Sequence, residues 1–229
     1  MNVEGSRKEG IGTMITKVAD VMTANVTAVR VGTPFKEIAA RLREQQASAL
    51  PVVDGNGKVI GVVSEADLMP KEALEAGFES HTGLSALLHR EELAKAKGET
   101  AAGLMSRPAV TVHPFSFLSY AAHLMYENRM RSLPVVDMDG RLAGMISRAD
   151  VLNVFSRPDD DIRRHITDKV IYDQYGTDPA AFTVTVTDGV VTLAGTPESA
   201  SVGHNIVSTV RRIEGVVAVH DRLNYPRAQ

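Results

Sequence analysis

The chain reads as a mixed α/β and α+β protein: two successive β-α-β-β-α units, then a small domain of order α-β-β-α-β. Three observations lead there. Shifting the sequence by 83 residues lays Val21–Leu68 over Leu104–Val151 without a gap, and 14 of the 48 pairs are identical, where about three are expected by chance. Each copy carries the same order of β-rich runs, helical stripes and turns. Beyond Asp160, strict apolar/polar alternation interrupted by Asp188-Gly189 marks a hairpin outside the repeat.

In the first copy Val26–Arg30 is a short β-rich run. Thr33 before Pro34 predicts an N-cap with proline at the first helical position. Phe35, Ile38, Ala39 and Leu42 follow at helical spacing. In the second copy Ala109–His113 is the run, Ser116 is the expected cap, and Leu118, Ala121, Ala122 and Met125 form the stripe. LPVVD then occurs twice, at Leu50–Asp54 and Leu133–Asp137. Asn56-Gly57 and Asp139-Gly140 read as two-residue turns into returning strands at Val59–Val63 and Leu142–Ile146. Ser64 and Ser147 open the closing helices. Val52, Val53, Val135 and Val136 are assigned to the core, as are Met125, Met130, Met138 and Met145. A unit of about 50 residues lies near the lower limit for an adequate core. Two copies packed together satisfy that limit and create two quasi-equivalent clefts.

The expected organisation is a tail over 1–17, a first unit over 18–69, a helical connector over 70–100, a second unit over 101–155, a linker over 156–160 and a C-terminal domain over 161–226. The connector is rich in Ala, Leu, Glu and Lys, with Leu84, Leu87, Leu88 and Leu93 as its apolar positions and a break at His81–Gly83.

Bulk properties narrow the chemistry. Apolar residues make up 44% and charged residues 23%, and net charge is -3, so no nucleic-acid partner is expected. With no cysteine, disulfides, thiolate zinc sites and a cysteine nucleophile are excluded. Met1–Lys17 lacks the apolar core of a secretory signal, and no run reaches the roughly 18 apolar residues of a membrane span; a cytoplasmic protein is expected. The seven histidines, His81, His89, His113, His123, His165, His204 and His220, show no i,i+4 or HExxH spacing, and no P-loop, G-x-S-x-G or dinucleotide fingerprint occurs. No metal, no catalytic residue and no enzyme activity is expected.

LPVVD, a glycine turn and then GVVSEAD (Gly61–Asp67) or GMISRAD (Gly144–Asp150) resemble the CBS-domain family across Val18–Phe155. The resemblance implies a regulatory module that binds an adenosyl ligand (AMP, ADP, ATP or S-adenosylmethionine) between the copies, without any other cofactor, and that associates as a homodimer. It places the family's Ser/Thr-x-x-Asp pattern on Ser64 with Asp67 and on Ser147 with Asp150. A carboxylate can accept both ribose hydroxyls, and a serine with a helix N-terminus suits phosphate. The same pattern is a capping box with Asp in place of Glu, and both roles stand. Position 65 is Glu where its mate is Arg148, so the cleft of Ser147, Arg148 and Asp150 is expected to take the phosphate. Adenine is expected against Thr27, Ala28, Val110, Thr111, Ala49, Leu50, Ser132 and Leu133.

In the C-terminal region Asp159–Asp161 begin a helix whose stripe is Ile162, Ile166, Val170 and Ile171. Phe182, Val184 and Val186 alternate with threonines, and Val191 and Leu193 continue after the turn. Val202, Ile206, Val210 and Ile213 form a second helical face near Pro197, ended by Glu214-Gly215, before a last strand over Val216–Leu223. DGVVTLAGT (Asp188–Thr196) and EGVVAVHDRL (Glu214–Leu223) resemble a BON domain, and the pairing is similar to a bacterial CBS–BON architecture. BON domains imply docking to a protein partner or to an envelope or phospholipid surface. Nine acids against seven bases from Asp160 to Gln229 predict weak lipid contact at most. The expected function is therefore a nucleotide-responsive regulator acting on an unidentified protein partner. The alternative is a ligand-independent dimeric adaptor.

Overall fold

The computed structural model describes residues 16–75 and 97–226. The connector positions from His81 to Leu93 lie outside the described residues. The chain forms two compact units, Lys17–Val151 and a C-terminal one from Leu152.

The first unit holds α1 (Val18–Val21), β1 (Thr23–Ala24), β2 (Val29–Arg30), α2 (Phe35–Glu44), β3 (Ala49–Val53), β4 (Val59–Ser64) and α3 (Glu65–Glu75). These are followed by α4 (Ala101–Leu104), α5 (Leu118–Glu127), β5 (Ser132–Val136), β6 (Leu142–Ser147) and α6 (Arg148–Leu152). Two sheets form, in the orders β2-β3-β4 and β1-β6-β5. The repeat is visible in matching registers: Leu50 faces Val63, as Leu133 faces Ile146.

The copies interlock. Strand β1, from the first copy, pairs antiparallel with β6 of the second through Thr23–Met145 and Ala24–Gly144. The mirrored contact is a single bridge, Val62–Ser106. The hairpin tips also bond to each other, with Val59 N–H donating to Gly140 O and Leu142 N–H to Gly57 O. The apolar stripes face inward: Ile38, Leu42, Leu50, Val52, Val63, Ala101 and Leu104 form one continuous cluster. Leu118, Ala121, Met125, Leu133, Val135 and Val136 are buried in the second copy.

Several local expectations shift. The N-cap of α2 is Pro34 and that of α5 is Phe117, one residue beyond Thr33 and Ser116. Thr33 Oγ1 accepts instead from Arg30 N–H at 3.0 Å. The runs Val26–Arg30 and Ala109–His113 shrink to the two residues of β2 and to a Val112–Val135 bridge, since each meets a partner strand only at its end. The turns at Asn56-Gly57 and Asp139-Gly140 are not two-residue hairpins. Only Gly57 and Gly140 have positive φ, whereas a type I′ turn needs it at both central residues. The connection runs from Asp54 to Lys58, where the Asp54 carboxylate accepts from Asn56 N–H (2.8 Å) and Lys58 N–H (2.9 Å). Those amides hold the Asp54 carboxyl below its usual range. In the second copy the Asp137 carboxylate accepts from Asp139 N–H (2.9 Å) and Arg141 N–H (2.8 Å). Met138, on that loop, is 87% exposed and is no core residue. Val53 is only half-buried.

In the C-terminal unit a 3-10 turn over Asn153–Ser156 precedes α7 (Asp159–Arg164), which continues as a π-helical stretch over His165–Gln174. Strands β7 (Phe182–Thr187), β8 (Val190–Gly195) and β9 (Ala218–Leu223) and helix α8 (Ala200–Val210) follow. Strand β8 pairs antiparallel with β7 and parallel with β9; α8 is the crossover that a parallel pair requires. Asp188 and Gly189 both have positive φ, as a type I′ turn demands. The core joins Ile162, Ile166 and Ile171 to Leu193, Ile206 and Val210. Asp159, read as a favourable charge at a helix start, also pins the hairpin: its carboxylate accepts from Asp188 N–H at 2.7 Å and Gly189 N–H at 2.8 Å.

His165 is half-buried beside this core, and desolvation, then Arg157 and Lys169, push its pKa below the ordinary 6.5. The folded state resists protonation, so between the depressed value and 6.5 the unfolded chain binds more protons. Stability is therefore fully present above pH 6.5 and falls as pH drops through the folded value. Urea unfolding followed by circular dichroism at pH 5 and 7.5 is expected to show a smaller difference in His165→Gln than in the wild type.

Candidate functional site

Two clefts open where the copies meet. The larger, about 810 Å³, is bordered by Thr23, Asn25, Val26, Thr27 and residues 45–51 of the first copy and by Arg131, Ser132, Met145 and Ser147–Asp150 of the second. The smaller, about 440 Å³, is bordered by Ser64–Asp67, Ser106 and Asn128–Ser132. The larger lies at the upper end of volumes typical for small-molecule sites.

Each Ser-x-x-Asp pair has the geometry of a capping box. Asp150 Oδ2 accepts from Ser147 N–H and Oγ–H, both at 2.7 Å. Asp67 Oδ2 does the same for Ser64, again at 2.7 Å. Ser147 Oγ accepts in return from Asp150 N–H at 3.3 Å. These bonds occupy one oxygen of each carboxylate and fix the side chain beside its cleft. Burial separates the two: Asp67 is 8% exposed, while Asp150 is half-buried. Helix α6 has only five residues; the cations on the border of the larger cleft are Arg148 and Arg131. Arg148 Nε donates to Met130 O at 2.8 Å, which anchors its side chain at the cleft border.

Of the residues expected from sequence, the larger cleft brings together Ser147, Arg148, Asp150, Thr27, Ala49, Leu50 and Ser132. The smaller joins Ser64 and Asp67 to Ala49 and Ser132. Four fall outside both linings. Strand alternation that turns Ser132 to the clefts sends Leu133 inward, where it is fully buried. The Ala28 carbonyl accepts from Arg41 Nη1 at 3.2 Å. Val110 and Thr111 lead into the Val112–Val135 bridge, and that segment gives the smaller cleft only Ser106.

The helix-to-strand loops, which carry no expected site residue, also reach the clefts. Gln45 and Gln46 border the larger cleft, and Asn128, Arg129 and Met130 the smaller. Gln46 and Arg129, mates under the 83-residue shift, both hold a left-handed φ, of 51° and 53°. Both are polar non-glycine residues at a place where a helix end usually takes glycine. Arg131 and Ser48 border both clefts, and Ser48 Oγ lies 3.2 Å from Ser132 Oγ on the shared wall. Among the described residues no group of three or more His, Asp or Glu side chains is placed to hold a metal ion, and no helix is long and apolar enough to cross a membrane.

Comparison with known proteins agrees with this architecture. The CBS-domain family matches residues 18–73 and 101–157, and the BON-domain family matches residues 158–227. The chloroplastic CBS domain-containing protein CBSX2 of Arabidopsis thaliana is 30% identical over 146 residues, covering 59% of this chain and 61% of that protein. The chain thus spans about three fifths of that relative's length. A CBS domain-containing protein of Dictyostelium discoideum is 28% identical over 137 residues, covering 60% of this chain and 89% of its own. A crystal structure of CBSX2 in complex with AMP superposes with a TM-score of 0.52 at 32% identity, over 60% of this chain and 94% of that one. The repeat, the interlocked sheets and these matches together identify the chain as a CBS-domain protein, a tandem CBS pair followed by a C-terminal BON domain.

Proposed function

We propose that this protein is a non-enzymatic regulator that binds an adenosyl ligand in the larger cleft of its CBS pair. The observation that carries the reading is the asymmetry of the two clefts. The larger offers a half-buried carboxylate, Asp150, held in place by Ser147, with Arg148 and Arg131 beside it. That is an acceptor for ribose hydroxyls next to cations for phosphate. The smaller offers a buried Asp67 with Glu65 at its border. The AMP complex of CBSX2 supports an adenine nucleotide as the ligand class. In this reading Thr27, Ala49, Leu50 and Ser132 flank the base. The BON domain then docks a protein partner or an envelope surface, and the CBS pair self-associates. Phe115, Phe117 and Tyr120, which are 75%, 51% and 51% exposed, give that pair an apolar surface to bury.

The test is calorimetric titration of the purified chain with AMP, ADP, ATP and S-adenosylmethionine. Saturable binding of at least one is expected, with the first equivalent entering the larger cleft. No binding by any of the four overturns the reading and favours an adaptor that works without ligand.

A further inference from the structure

We propose that Arg131 is a single cation shared by the two clefts, so that an anionic ligand in the larger cleft disfavours a second anionic ligand in the smaller. The inference rests on the adenosyl-ligand reading above and specifies how the two sites are coupled.

Arg131 stands just before β5 and borders both clefts. Its mate under the 83-residue shift is Ser48, so the pseudo-symmetry supplies no second arginine at this position. The mate of Arg148 is Glu65, so charge is unequal a second time, in the same direction. With Arg131 turned to it, the larger cleft sets two arginines, 131 and 148, against one carboxylate, Asp150. The smaller then keeps Arg129 against two carboxylates, Glu65 and Asp67. With Arg131 turned the other way, each cleft is balanced.

The structure shows the second arrangement. Arg131 Nη1 lies 3.5 Å from Glu65 Oε2, with the two side chains 72% and 53% exposed. An exposed ion pair of that length is weak. A phosphate in the larger cleft presents several charged oxygens to the same guanidinium and makes the stronger contact. The Ser48–Ser132 contact at 3.2 Å ties the two strand starts together on the shared wall, so the change is confined to a side chain. Once Arg131 has left, Glu65 loses that ion pair, the carboxylates bordering the smaller cleft outnumber Arg129, and a second phosphate is repelled. An uncharged ligand such as adenosine does not meet that penalty. Coupling is reciprocal: phosphate in the smaller cleft weakens the larger by the same factor.

The test is titration of the full chain with AMP, in the wild type and in Asp150→Asn. The wild type is expected to show two steps. Asp150→Asn removes the step of the larger cleft; Arg131 then stays beside Glu65, and the remaining step is expected to be about five- to ten-fold tighter than the wild type's second step. Adding Arg131→Gln to Asp150→Asn is expected to erase that gain, and adenosine binding to the smaller cleft is expected to be the same with the larger cleft empty or filled. Where the second wild-type step is too weak to record, its appearance in Asp150→Asn supports the coupling and its continued absence overturns it. A remaining step identical to the wild type's second step shows independent clefts; it overturns the coupling while the adenosyl reading stands. Failure of AMP to bind the wild type at all overturns that reading and the coupling with it.

Discussion

Asp150→Asn is expected to weaken AMP binding in the larger cleft by about a hundred-fold or more while leaving the fold intact. The substitution separates the two roles of this side chain. As a capping residue, Asp150 uses one oxygen to accept from Ser147 N–H and Oγ–H at 2.7 Å, and an asparagine carbonyl can accept the same bonds. As a ligand group it presents its remaining oxygen and its charge, which an amide NH₂ replaces with donors. Ribose hydroxyls that donate to the carboxylate lose their acceptor. Hydrogen bonds to charged groups contribute about 1.5–3 kcal/mol each, so losing two costs about 3 kcal/mol or more, at about 1.4 kcal/mol per ten-fold. Thermal unfolding is expected to stay within a few degrees of the wild type. Asp67→Asn, in the smaller cleft, is expected to leave the first AMP step within about two-fold, since nothing places Asp67 on the border of the larger cleft. Equal losses in the two variants, or an unchanged first step in Asp150→Asn, contradict the assignment of the phosphate-bearing ligand to the larger cleft.

What the sequence revealed and what it hid follow from how each feature is encoded. The duplication was legible because LPVVD and the glycine pair repeat at one spacing, and hydrophobic periodicity converts directly into helices and strands. The hairpin at Asp188-Gly189 was legible because its turn type demands positive φ at both residues, which Asp188 and Gly189 adopt. The loop at Asn56-Gly57 misled because an Asp54 carboxylate, not the dipeptide, closes it. The Ser-x-x-Asp pairs could be singled out because the resemblance to the CBS family falls on them in both copies, at one spacing. The loops around Gln46 and Arg129 could not, because their place at the clefts depends on packing between copies. Strand β1 is the clearest case. Two residues, Thr23 and Ala24, carry no periodicity, yet they leave their own copy to pair with Met145 and Gly144.

That exchanged strand makes Gly144 a second sensitive position. A Cβ placed on Gly144 would lie 2.6 Å from the Thr23 carbonyl oxygen and 3.3 Å from Met22 Sδ. The first contact is backbone, so β1 itself has to move. Because Thr23 opens the segment that borders the larger cleft, the displacement reaches the ligand site. Its mate Gly61 meets a different neighbour. There the closest atoms are Sδ and Cγ of Met105, at 2.6 and 3.1 Å, and an unbranched methionine can turn aside; the Ser106 carbonyl at 3.1 Å needs to give by only a few tenths of an ångström. Overpacking against rigid structure costs about 1–3 kcal/mol. Gly144→Ala is therefore expected to lower Tm by several degrees, at roughly 2–4 °C for each kcal/mol in a unit of this size, and to weaken the first AMP step together with it. Gly61→Ala is expected to change Tm by less than half as much and to leave that step unaltered. Parallel thermal melts and AMP titrations of the two variants decide the matter. Equal effects would mean that β1 yields as readily as a side chain, and that the exchanged strand does not define the wall of the larger cleft.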